Sequence, residues 1–108
     1  MATPFQQRVY DALLLIPSGQ VTTYGYIAEF LSTKAVRAVG TAVGKNPNAP
    51  FVPCHRVVPS SGQIGNYSAG AGVKTKIRLL AEEGVLVEAG KVVKFQEILF
   101  KFKGTTHA

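Results

Sequence analysis

Cys54 is the only cysteine in a chain of 108 residues, and it stands next to an imidazole in the run Pro53-Cys54-His55-Arg56-Val57. Sulfur attacks as a thiolate, and an adjacent histidine is a common means of making one near neutral pH. Pro53 fixes φ just before the thiol and biases Val52 toward extended backbone, which predicts a held turn around Cys54. A single cysteine in a small domain also commonly serves as a buried apolar filler. The pair alone leaves both roles open.

The surrounding motifs narrow the choice. Thr23-Tyr24-Gly25, Arg37-Ala38-Val39-Gly40, Asn46-Pro47, the Cys54 run, Gly65-Asn66-Tyr67-Ser68 and Glu83-Gly84 occur in that order. Together they resemble the catalytic domain of O6-alkylguanine-DNA alkyltransferases, from about Phe5 to Leu86. Such proteins move an alkyl group from guanine O6 in DNA onto their own cysteine, once, without regeneration. The resemblance implies Cys54 as acceptor, His55 as base through a bound water, and Glu83 as the carboxylate that accepts from the imidazole. It implies that the Asn46 amide braces the turn holding Cys54, although Asn-Pro is also an ordinary turn sequence. Tyr67 would donate to guanine N3, Ser68 would bond the O6 region, and Val57 and Cys54 would add backbone contacts to the base. The nucleotide must leave the stack, at a cost of a few kcal/mol. Arg37 would fill the vacated position, and Tyr24 would crowd the phosphate, unless its spacing from Ile27 makes it core. Ala38, Gly40 and Ser60 complete the expected DNA surface. The expected partner is double-stranded DNA containing O6-alkylguanine, entered through the minor groove; no cofactor and no metal is expected.

Local signals place these residues on elements. Thr3-Pro4-Phe5-Gln6 reads as an N-cap, a first-turn proline and a capping box. Phe5, Val9, Ala12, Leu13 and Ile16 recur at helical spacing until Pro17-Ser18-Gly19 ends the pattern. Val21 to Thr23 reads as an extended link whose threonines can cap a helix from about Tyr24 to Leu31. After a turn at Leu31 to Lys34, a helix from about Ala35 to Gly44 completes a helix-turn-helix pattern. Its small residues, Ala35, Ala38, Gly40, Ala42 and Gly44, suit close helix packing and equally suit approach to a narrow groove. Helix-turn-helix proteins mostly read the major groove, so the minor-groove expectation comes from the resemblance alone. Lys45 to Pro53 and Ser60 to Gly72 read as loops, the latter long for a compact domain and therefore of functional interest. Val73, Ile77, Leu80 and Ala81 mark one more helix, closed by Gly84. Val85-Leu86-Val87 and Lys91-Val92-Val93 flank Glu88-Ala89-Gly90, a three-residue turn of a β-hairpin. The fold expected is mostly α with a small β-hairpin: a winged helix-turn-helix-like DNA-binding domain of the alkyltransferase C-terminal type. Residues 1–108 should form one domain.

Composition agrees with that reading. Twelve Lys and Arg against six Asp and Glu give a formal charge of +6, which favours a polyanionic partner. Basic character also serves solubility alone, and the lysines at positions 91, 94, 101 and 103 fit a solvated face. No apolar run reaches the roughly 20 residues needed to cross a bilayer, and the N-terminus lacks a basic region followed by an apolar stretch. One cysteine makes no internal disulfide, so a reducing intracellular compartment, cytoplasm or nucleus, is expected. A monomer with no membrane association follows.

Three features depart from the alkyltransferase pattern. The separate N-terminal domain of many members has no counterpart. The stretch from Lys74 to Glu83 is two residues longer than the pattern, which leaves Glu82 and Glu83 both available as the histidine partner. The tail, with Gly90-Lys91-Val92 and Phe100 to Phe102, resembles alkyltransferase-like proteins. Those bind O6-alkylguanine without repairing it, recruit excision repair, and usually lack the acceptor cysteine. A single-turnover DNA methyltransferase is therefore the leading expectation and a non-catalytic lesion sensor the rival. A basic helix-turn-helix regulator would leave Asn46, Cys54, His55 and Glu83 without a purpose.

Overall fold

The computed structural model describes residues 2–102. The first helix, α1 (Pro4–Leu13), opens on the capping box that its sequence specifies. The Thr3 hydroxyl accepts from the Gln6 amide at 3.1 Å, and the Gln6 side chain accepts from the Thr3 amide at 3.0 Å. Val9, Tyr10, Ala12 and Leu13 are buried along one face. The helix stops at Leu13, yet Ile16 still reaches the core from the turns that follow.

Thr22–Thr23 forms β1, and the Thr23 hydroxyl then caps α2 (Tyr24–Phe30) by accepting from the Tyr26 amide at 3.1 Å. The end of α2 explains how tightly the chain turns. Ser32 takes a left-handed φ of 56°, Thr33 N–H bonds Ala28 C=O at 3.0 Å, and Ser32 N–H bonds Glu29 C=O at 3.0 Å. This is a Schellman closure with serine where glycine is usual. It delivers the chain into α3 (Val36–Gly44), which buries Val39, Ala42 and Val43 and leaves Arg37, Ala38 and Thr41 exposed. The helices α1, α2 and α3 pack on one another around a shared core that includes Cys54.

A loop leads to a short 3-10 turn (Cys54–Arg56) and β2 (Val57–Val58). β2 pairs in parallel with β1, Thr22 opposite Val57 and Thr23 opposite Val58. The extended link expected at Val21 to Thr23 is thus a strand, and it ties the start of the helix-turn-helix to the residues after the cysteine. The C-terminal segment attaches on the same side: Val21 N–H bonds Ile98 C=O at 3.0 Å, and Phe100 N–H bonds Val21 C=O at 2.7 Å. Phe102 stacks on Phe30 with ring centroids 4.6 Å apart.

After the long loop, α4 (Val73–Glu82) packs on the 3-10 turn. Its inner face differs from the expected set. Ala81 is exposed, whereas Lys76 is fully buried. The hairpin consists of β3 (Val87–Glu88) and β4 (Lys91–Val92), joined by the two residues Ala89 and Gly90 rather than three. Both take positive φ, 51° and 78°, the mirror-image turn whose twist suits a short hairpin. Together with Val21, Val58, Ile64, Leu80 and Val85, Val92 closes a second apolar cluster beneath the hairpin. Among the described residues no helix is long and apolar enough to cross a membrane.

Candidate active site

The 3-10 turn places its first residue at the floor of a cleft of about 410 Å³. Cys54 lies there, only 6% exposed, with Tyr24 from α2, Gly40 from α3, and Tyr67 and Ser68 from the long loop around it. Two groups hold the turn in place. The Asn46 side-chain amide donates to Val52 C=O at 2.6 Å, and its carbonyl accepts from Asn48 N–H at 3.0 Å. Asn46 thus closes the loop that precedes Pro53.

Behind the thiol, His55 is buried and its Nε2 lies 2.8 Å from Glu83 Oε2. Glu82, the neighbouring possibility, is exposed and pairs with Arg78 at 2.8 Å one turn earlier on α4. Glu83 is therefore the carboxylate that meets the imidazole. It also receives Arg56, with Nη2 to Oε2 at 2.7 Å and Nε to Oε1 at 2.9 Å, and the Gly19 amide at 3.3 Å. The remaining Arg56 donor, Nη1, bonds Ile16 C=O at 2.6 Å. Burial pushes the Glu83 carboxyl up, but its bonds to Arg56, His55 and Gly19 outweigh that and hold it below its ordinary 4.5. Facing a carboxylate, Nε2 carries the proton and donates. Desolvation lowers His55 below its ordinary 6.5, although Glu83 pulls the other way. The ring is then neutral at neutral pH, with its lone pair on Nδ1. That atom is buried and has no hydrogen-bond partner among the described residues.

Tyr67 lines the same cleft as the thiol. Its hydroxyl is pushed up to about 12, first by burial, then by the charge of Cys54 and by a side-chain hydrogen bond with it. Ser68 donates to Gly44 C=O at 2.8 Å and so ties the loop to the end of α3. Gly65, also on the cleft wall, has φ of +70°, and a Cβ there would fall 2.7 Å from Pro59 Cδ. Only glycine lets this wall lie so close to Pro59.

The cleft brings together Cys54, Tyr24, Gly40, Tyr67 and Ser68; His55, Glu83, Asn46 and Val57 support it from behind. Arg37 and Ala38 stand exposed on α3, outside the cleft lining. Ser60 is exposed beside a separate depression that Gly25 also lines. Sequence reasoning missed Arg56 and Lys76. For Arg56 the signal was present, since it directly follows Cys-His, but its partner Glu83 is 27 residues away.

A helix-turn-helix whose core presents a cysteine at a cleft lined by two tyrosines, with an imidazole and a carboxylate behind it, defines a DNA-binding domain with a thiol centre. The pattern of the 6-O-methylguanine DNA methyltransferase, DNA binding domain, matches residues 4–85, and the chain belongs to this DNA repair alkyltransferase family. It is 51% identical over 82 residues to the methylated-DNA–protein-cysteine methyltransferase of Mycobacterium leprae, covering 75% of this chain and 48% of that protein. The corresponding Shigella flexneri protein is 48% identical over 86 residues, covering 79% of this chain and 49% of its own length. The chain thus spans about half the length of these relatives. Among solved structures it is similar to Mycobacterium tuberculosis OGT in complex with DNA, at a TM-score of 0.72 and 49% identity, covering 77% of this chain and 51% of that one. It is also similar to S. pombe Atl1 in complex with damaged DNA containing O6-carboxymethylguanine, at 0.77 and 32%, covering 94% of this chain and all of that one.

Proposed function

We propose that this protein transfers an alkyl group from guanine O6 in duplex DNA to Cys54 in a single irreversible turnover. The observation that carries the reading is the polarity of the site: Glu83 accepts a hydrogen bond from Nε2–H, which leaves the lone pair of Nδ1 as the base. A water between Nδ1 and the thiol would relay its proton to the imidazole, and Glu83 would stabilise the imidazolium that forms. Sulfur then bonds the alkyl carbon as the carbon–oxygen bond breaks. Guanine leaves with its electron pair and takes up a proton, which the Tyr67 hydroxyl, on the cleft that Cys54 also lines, would supply. The thioether product is a poor leaving group and the chain holds no second thiol, so the centre works once. Asn46 keeps the nucleophile in register, and the backbone of Val57 and the hydroxyl of Ser68 would bind the extruded base.

Base extrusion falls to the exposed side of the helix-turn-helix. Arg37 is proposed to enter the stack through the minor groove, with Ala38 and Gly40 allowing the backbone of α3 close to the sugar-phosphate edge. Tyr24 has two roles at once, since its ring packs on the core while lining the cleft. Ser60 is assigned to a backbone contact.

The rival reading is a lesion-binding protein that signals without repairing. It is favoured by the likeness to Atl1, which extends over 94% of this chain and so beyond the region matched by the curated methyltransferases. Cys54 separates the two. Incubation with duplex DNA containing O6-methylguanine, followed by peptide mass spectrometry, decides between a methylated Cys54 and tight binding with no adduct.

A further inference from the structure

The hairpin and the segment after it have no part in the chemistry above, and they follow residue 85, where the match to the family pattern ends. They are nevertheless fastened to the surface assigned to DNA. Residues 62–64 pair along β4: Ile64 N–H bonds Gly90 C=O at 2.8 Å, Val92 N–H bonds Gly62 C=O at 2.9 Å, and Gln63 stands opposite Lys91. Gly62 has φ of +84°, and a Cβ there would fall 3.0 Å from the Phe95 ring. The segment thus packs closely on the loop two residues after Ser60. Farther along, Phe95, Gln96 and Leu99 close a depression of about 300 Å³ with Ser60 and with Gly25 and Tyr26 of α2.

Lys91, Lys94 and Gln96 are exposed, and neither lysine has an ion pair among the described residues. Lys94 takes a left-handed φ of 59°, and its carbonyl accepts from the Glu97 and Ile98 amides at 2.9 and 3.2 Å. Such backbone is strained for a residue with a side chain, and strain of this kind clusters at functional surfaces. Carboxylates stand nearby as well. Glu88 lies opposite Lys91 across the hairpin, Glu97 follows Lys94 by one turn, and Glu29 lines the depression. They offset a diffuse attraction for polyanions, so the surface suits discrete phosphates, each met by one donor.

We propose that this segment is a second DNA-contacting element: with Ser60, the side chains of Lys91, Lys94 and Gln96 hold the phosphate backbone beside the helix-turn-helix and widen its footprint on the duplex. This rests on the reading of Gly25 and Ser60 as DNA surface. Lys91 and Lys94 each meet one phosphate, Gln96 donates to a further backbone oxygen at the depression, and none of them reads a base.

The test is the double variant Lys91→Gln/Lys94→Gln, beside Gln96→Ala, which removes a donor and no charge. All three side chains are exposed, so the fold carries the substitutions. Affinity for an undamaged duplex, and for the same duplex carrying O6-methylguanine, is measured by fluorescence anisotropy across salt concentration. Each phosphate contact contributes about 0.9 to the slope of log K against log salt, so the double variant should lose ~1.8 from that slope, equally on both duplexes. Gln96→Ala should bind both about threefold more weakly at an unchanged slope. An unchanged slope in the lysine variant would overturn the proposal and leave these side chains a solvated face. Full affinity in Gln96→Ala would overturn it too, by reducing the effect of the lysines to net charge. Because the undamaged duplex holds no group to transfer, failure of the repair reading and failure of this one are separable.

Discussion

Glu83→Gln should injure the site twice, through the base and through the fold. The carboxylate holds His55, Arg56 and Gly19 simultaneously, so its charge orients the imidazole and also ties α4 to the 3-10 turn and, through Gly19, to the turn after α1. Glutamine preserves the shape and loses the charge. If its NH2 faces His55, Nε2 must become the acceptor and the ring proton moves to Nδ1, the wrong atom for a base. General-base catalysis contributes about 10²–10⁴ in rate, and because DNA binding still aligns the reactants, a fall near the lower end, ~10²-fold, is expected. Breaking a buried ion pair costs about 3–5 kcal/mol. Here the side chains of Arg56 and Glu83 keep 17% and 14% of their exposure. We expect about 2–4 kcal/mol, and for a domain of this size a fall in Tm of roughly 10–20 °C. Rapid-quench transfer to an O6-methylguanine duplex below the variant's Tm, with binding measured in parallel, isolates the chemical step. The lesion affinity should stay within about threefold, since no DNA contact is removed. A Glu83→Gln protein that transfers at the wild-type rate, or a larger rate loss in Glu82→Gln, would refute the reasoning.

Arg37→Ala should slow transfer from duplex DNA by about 10–100-fold, the worth of a few kcal/mol of base extrusion, and Arg37→Lys should not rescue it because an ammonium cannot stack. Reaction of both variants with free O6-methylguanine should match wild type; equal loss on both substrates would make Arg37 a structural residue. Acid should destabilise the protein in two stages, followed by thermal melting across pH. As pH falls through 6.5 the unfolded chain protonates a histidine that the folded His55, lowered by burial, does not, and stability declines. Further down, the stabilisation from Glu83, held below its ordinary 4.5, is lost as the pH falls through its folded value. Flat stability between neutral pH and the carboxylate range would contradict the burial of a neutral His55.

What the sequence made legible was mostly local. The capping box of α1 and the Thr23 cap of α2 involve residues three apart, so their signals lie within one turn of chain. The order of motifs around Cys54 carried the site through family likeness, and the geometry then chose Glu83 over Glu82. The Schellman turn at Ser32 hid because serine at positive φ is uncommon and is held there by the flanking helices. The pairing of Thr22–Thr23 with Val57–Val58 joins short strands more than thirty residues apart, too short for any alternating pattern. Lys76 was unreadable for a different reason. Its type argues for solvent, and only the assembled fold shows that it is buried, with Nζ on Asn66 C=O. The hairpin turn was misread by one residue because Ala89 gives no hint of the left-handed backbone that it adopts.

The central claim concerns one sulfur atom. Intact protein mixed with an equimolar O6-methylguanine duplex and digested should yield a peptide containing Cys54 heavier by one methyl group, in a yield that saturates at one per chain, with unmodified guanine restored in the DNA. Tight binding of the lesion with an unmodified Cys54 peptide and the methyl group still on guanine would contradict the account and assign the chain to lesion sensing.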